Sequence, residues 1–172
     1  GEMGGLWRFR GRAPQKVVGV GFTSQGGGEN RPYKRQPDSF DPRAAFIFTG
    51  IDDDELIGDF PALVLGQGAA GFEIDRVDHA LGTPDHVLLL ASSTGYSDLY
   101  QLAIEDQFAS SPNTGGSSNA LIRSDMVYFE GPANGAVFSV GSISWCASLS
   151  YNDGDNNVSR ITENVLRQFS SE

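Results

Sequence analysis

The stretch from Gly135 to Phe169 constrains the fold more than any other part of the chain. It runs from the apolar segment Ala136–Val140, through a Gly/Ser-rich turn with Trp145 and Cys146, into the acidic and amide-rich loop 153–157. It closes with Val158, Ile161, Val165, Leu166 and Phe169, which fall on one face at helical spacing. Asn156 or Asn157 stands where a side-chain oxygen caps such a helix. A strand, a turn and an amphipathic helix in this order need a core to pack on, so the stretch reads as the end of a packed domain. The opposite end starts Gly1-Glu2-Met3-Gly4-Gly5, with no leader pattern. The expectation is a C-terminal piece of a longer chain.

Four short apolar runs have strand length: 16–22 (KVVGVGF), 44–49 (AAFIFT), 62–65 (ALVL) and 86–91 (HVLLLA). The last is apolar without a break, as in a strand covered on both faces of an α/β sheet. The spacing of Phe72, Ile74, Val77 and Leu81 predicts a short helix over 71–81, stopped by Gly82-Thr83-Pro84. Leu99, Leu102, Ile104 and Phe108 predict another over 98–108. Segments 126–130 and 136–140 read as a hairpin through Gly131 to Gly135. The predicted fold is α/β and layered, with a mostly parallel sheet and an antiparallel edge hairpin. Residues 1–42 are expected to form a basic, loop-rich N-terminal segment with one strand, and 43–172 the α/β body.

Charge is unevenly spread. Residues 1–35 carry a net +5 and residues 36–172 a net −15. Phosphate contact needs clustered positive charge, so the acidic body excludes nucleic acid as the expected partner. The basic segment is expected against an acidic surface of its own protein or of a partner. No apolar run reaches the ~18 residues of a membrane span, so no membrane partner is expected. A single cysteine excludes a disulfide framework and a cysteine-based zinc cage, and a cytoplasmic location is the default.

Several motifs carry candidate chemistry. Residues 66–71 spell a literal G-x-G-x-x-G after an apolar run. A dinucleotide site would also need an acidic residue ~20 positions on, and the next strand there ends Ala91-Ser92-Ser93. The plainer reading is a tight turn. Glu73 follows that turn between Phe72 and Ile74. A carboxylate so placed is either partly desolvated and suited to general acid–base work, or a solvated group paired with Arg76. His79 and His86 are too few for a His-rich metal site, and Cys146 lacks the flanking glycines of a nucleophile elbow and reads as a buried structural thiol. The 153–157 loop breaks the order of a calcium loop and reads as helix capping.

Taken together, GEMGGLWR, VGVGF, RPY, IGDF, GAAGFEIDR, SDMVYFE, GAVFSVGSISWCASLS and DNNVSRITENVLRQF resemble the C-terminal region of the large (beta) subunit of N,N-dimethylformamidase. The likeness covers almost the whole chain. It implies a multi-domain amidohydrolase whose large subunit pairs with a small subunit and cleaves N,N-dimethylformamide to dimethylamine and formate. It also implies a domain similar to the class I glutamine-amidotransferase-like, flavodoxin-like fold. The family's iron is held by two Tyr and one Glu, and the resemblance places those ligands in preceding sequence. They are not carried onto Tyr33, Tyr96, Tyr100, Tyr128 or Tyr151, so iron belongs to the full-length protein and not to this chain.

The resemblance further implies that Glu73 is the active-site acid of the family. An amide is a poor electrophile, and its amine leaves only when protonated, so a carboxylate that moves protons suits the reaction. Small N-methyl groups call for aromatic walls, for which Phe72 and Trp145 are the candidates. The expected partners are the rest of the large subunit, the small subunit and a small amide. The alternative is a non-catalytic scaffold that binds the small subunit through the basic segment.

Overall fold

The protein is described here by a computed structural model covering residues 7–63, 66–103 and 113–171. Among these residues every strand pair is antiparallel, in two sheets. The first has three strands in the order β3-β1-β5, with β1 at Gly21–Arg31, β3 at Ala70–Arg76 and β5 at Gln101–Leu102. The second has four in the order β2-β4-β6-β7, with β2 at Lys34–Arg35, β4 at Leu88–Ser93, β6 at Ser124–Glu130 and β7 at Ala136–Ser139. The helices are short α1 (Gln15–Val18) and α2 (Ser144–Ser148) and the longer α3 (Asn157–Ser170).

This overturns the mostly parallel α/β sheet and the flavodoxin-like likeness. Parallel neighbours need a crossover of a dozen or more residues, usually a helix. Among the described residues the one long helix, α3, follows all the strands in chain order and links none of them. The unbroken apolar run of β4 still reflects burial on both faces, but an antiparallel sheet achieves it. Leu88, Leu90, Met126 and Tyr128 face the main core under α2 and α3. Val127 and Phe129 meet Gly19 at the end of α1, where an added Cβ would lie 3.0 Å from each ring or methyl group.

Three further expectations change for local reasons. Segment 16–22 is not one strand. Gly19, at φ 80°, ends α1 in the left-handed conformation, and β1 begins at Gly21. Segment 44–49 is a run of tight turns. Ala44, Ile47, Phe48 and Ile51 are buried at helical spacing, and Ile47 and Ile51 donate to the carbonyls three residues back at 3.0 Å. Segment 71–81 is strand β3 followed by a 3-10 turn at His79–Leu81. The predicted helix over 98–108 contains β5 instead, and Ile104 and Phe108 lie outside the described residues, as do Val64 and Leu65.

The 126–140 hairpin forms as expected, with Tyr128 opposite Phe138. Asn156 caps α3, its side chain accepting from the Ser159 N–H at 2.9 Å. Val158, Ile161 and Val165 are the residues α3 buries. From the basic segment, Arg35 pairs with Asp53 at 3.2 Å and stacks over Phe40 and Phe48. Among the described residues no helix is long and apolar enough to cross a membrane.

Candidate functional site

The site grows from a bend in β3. Phe72 sits at φ 68°, a left-handed conformation that residues with a Cβ adopt rarely. Its N–H donates to the Tyr100 phenol oxygen at 2.8 Å. One residue earlier, the Gly71 N–H donates to Ser142 Oγ at 2.8 Å, and Ser142 Oγ donates to the Gly71 carbonyl at 2.9 Å. On the partner strand the register jumps from Gln25 opposite Glu73 to Asn30 opposite Gly71, so residues 26–29 bulge against the bend. Gly26 makes room for Tyr100, since a Cβ there would lie 2.8 Å from its ring.

Beyond the bend, alternation decides which way each side chain faces. Ile74 is fully buried in a small core with Tyr96, Tyr100, Leu102 and Ile122. Glu73 and Asp75, both half-buried, line a cleft of about 730 Å³. Val18 and Val20 line it from one side, the 138–143 segment from another, and Trp145, Val165, Leu166 and Phe169 from the helices. The walls are therefore mostly apolar, with the two carboxyls and the hydroxyls of Ser139, Ser142 and Thr162 as the polar groups.

Asp75 is the residue that sequence reasoning missed. Burial raises its carboxyl from the usual 3.8 to about 6, the charge of Glu73 adds to the rise, and the Arg8 guanidinium opposes it. Arg8 is anchored beside the pair, donating to the Phe22 carbonyl at 2.6 Å. The Asp75 N–H donates to the Gly141 carbonyl at 2.8 Å, which ties β3 to the cleft wall. The missed signal was the i, i+2 spacing of Glu73 and Asp75. It means a shared face only if the segment is a strand, and the apolar spacing pointed to a helix.

Trp145 forms part of the cleft while itself almost fully buried. Its Nε1–H donates to Thr162 Oγ1 at 3.1 Å, and its ring meets Tyr33 edge-on at 5.9 Å. The structure thus brings Glu73 and Trp145 to one cleft. Phe72 is not among the lining residues and is 42% exposed. Cys146, read from sequence as a buried thiol, is exposed and lines the cleft, because α2 turns Trp145 inward and its neighbour outward. Gly66 to Gly71 lead into strand β3 rather than a helix, so no helix N-terminus awaits a phosphate there. Arg76 is buried and pairs with Asp78 at 2.8 Å.

Among the described residues no three His, Cys, Asp or Glu converge as metal ligands. The buried phenols of Tyr33, Tyr96 and Tyr100 are each committed to hydrogen bonds within the fold, with Val140, Ala70 and Glu29 carbonyls respectively. What the cleft offers is two neighbouring carboxyls in a largely apolar surround, with burial raising that of Asp75. Two carboxyls on one face of a strand, one of them raised by burial, are the kind of pair that acid and base work draws on.

Comparison with known proteins adds the family. The sequence model of one family, described as N,N-dimethylformamidase beta subunit-like, C-terminal, matches residues 1–158. The chain is 47% identical over 169 residues to the N,N-dimethylformamidase beta subunit of Paracoccus aminophilus, covering 98% of this chain and 22% of that protein. It is 46% identical over 169 residues to the N,N-dimethylformamidase beta subunit of an Alcaligenes species, with the same coverage of 98% and 22%. The chain spans about a fifth of the length of these curated relatives.

Proposed function

The chain belongs to the N,N-dimethylformamidase beta subunit-like, C-terminal family, and from that premise we propose that it supplies the proton-handling wall of a linear-amide hydrolase. The substrate class is a small N-alkylated formamide, with N,N-dimethylformamide as the type member. The observation that carries the reading is the meeting of Glu73 and Asp75 on one face of an apolar cleft that Trp145 helps to line.

In this reading Glu73 acts as base and Asp75 as acid. A water oxygen forms a bond to the amide carbon as its proton passes to Glu73. The amide nitrogen takes the Asp75 proton, and the carbon–nitrogen bond breaks. Formic acid and dimethylamine leave, and the pair ends with the same single proton it began with. Burial and the charge of Glu73 raise Asp75 toward neutral pH, and Arg8 limits that rise. The apolar walls receive the N-methyl groups and exclude bulk water, which strengthens electrostatic interactions at the carboxyls. The iron implied by the family resemblance is assigned to polypeptide outside this chain. The relatives' designation as beta subunits supports a second kind of subunit as the assembly partner.

Glu73→Gln in the intact enzyme tests the role. The expected outcome is a loss of kcat of about 10²–10⁴-fold with assembly and metal content unchanged. Turnover within about twofold of the parent would instead favour a scaffold that carries no chemistry.

A further inference from the structure

The rim of the cleft exposes more apolar surface than a self-sufficient domain face needs. Leu166 is 63% exposed, Ile143 52%, Phe169 44% and Val18 38%, and all four line the cleft. They come from α3, from the turn before α2 and from α1, so separate parts of the sequence converge on one patch. On α3 the patch continues the face that buries Val158, Ile161 and Val165. The apolar pattern therefore runs past the core that the described residues supply. A contiguous apolar patch beside a polar surface marks an interaction site.

The occupant follows from two observations. The matched region is 22% of each relative, and its family is the C-terminal part of the subunit, so most of the relatives' polypeptide precedes this region. Arg8, in the 3-10 turn at Trp7–Arg10, donates to the carbonyl of Phe22, the residue opposite Asp75, so the first described residues lie at the carboxyl end of the cleft. A covalently attached segment also meets the patch at high effective concentration, ahead of any separate partner.

We propose that an apolar segment of the polypeptide preceding this region in the same large subunit lies across Val18, Ile143, Leu166 and Phe169 and roofs the cleft. The proposal rests on the reading of the chain as part of a large subunit and not on the role of Glu73. An inactive or active Glu73→Gln enzyme leaves it untouched.

Photo-crosslinking in the intact enzyme tests it, with Leu166→p-benzoylphenylalanine and, as a second site, Phe169→p-benzoylphenylalanine. Irradiation is expected to yield loops within one large subunit, mapped by mass spectrometry to sequence before this region. Cys146 is expected to react more slowly with N-ethylmaleimide in the native enzyme than after unfolding in guanidinium. Crosslinks to the small subunit, or between two large subunits, would overturn the proposal. So would an absence of crosslinks with Cys146 as reactive native as unfolded.

Discussion

The Phe72 N–H and the Tyr100 phenol are joined at 2.8 Å, and the same phenol donates to the Glu29 carbonyl at 2.7 Å. Tyr100 thus clamps the bend of β3 to the bulge of β1, one residue before Glu73. Left-handed backbone at a non-glycine residue costs roughly 1–2 kcal/mol and persists only where its surroundings hold it.

Tyr100→Phe keeps the ring in its small core and removes the clamp. It leaves the Phe72 N–H and the Glu29 carbonyl without their shared partner. The expected loss of stability is about 1–3 kcal/mol by urea denaturation, with turnover reduced as the bend relaxes. Unchanged stability and turnover together would show that the bend holds itself.

Asp75 makes stability depend on pH in a definite direction. Its carboxyl is raised in the folded protein, so the folded state binds more protons than the unfolded chain between about pH 4 and 6. Stability from this group therefore falls as pH rises through that window. Asp75→Asn removes the penalty of burying the charge. Denaturation curves are expected to converge for parent and variant below about pH 4 and to favour the variant by about 3 kcal/mol at pH 7. A variant no more stable at pH 7 would place the carboxyl in water.

Gly141 holds the cleft wall against β3. At φ 62° it sits in the left-handed region, and a Cβ there would lie 2.6 Å from the Asp125 carbonyl oxygen and 2.8 Å from that of Asp75. All the colliding groups named are backbone and have little room to yield. Gly141→Ala is expected to cost about 2–4 kcal/mol in thermal unfolding and to shift the kcat/KM pH profile by displacing Asp75. A melting temperature unmoved by the added methyl would mean that the wall is loose.

Parts of this fold were legible because local chemistry and tertiary packing agree there. The 126–140 hairpin has two apolar runs and a Pro-Ala-Asn-Gly turn, and α3 has its Asn156 cap and a regular apolar face. Segment 71–81 was misread because its apolar positions begin at spacing two and drift to four, and the bend at Phe72 leaves no trace in hydropathy. Segment 44–51 shows the converse. Its buried residues follow helical spacing, but the apolar run 44–49 within it reads as a strand. The direction of the sheet was beyond reach because burial on both faces of β4 mimics a parallel strand. In the cleft, Glu73 and Trp145 were visible as residue types in context, whereas Asp75 depends on knowing that its segment is extended.

The helix α3 follows every strand in chain order, yet Thr162, Val165, Leu166 and Phe169 form one side of the cleft. On a ribosome the sheets emerge before the helix that completes this wall. The carboxyl-bearing strand is thus made first and enclosed afterwards, and translation must pass residue 169 before the nascent protein holds a formed cavity.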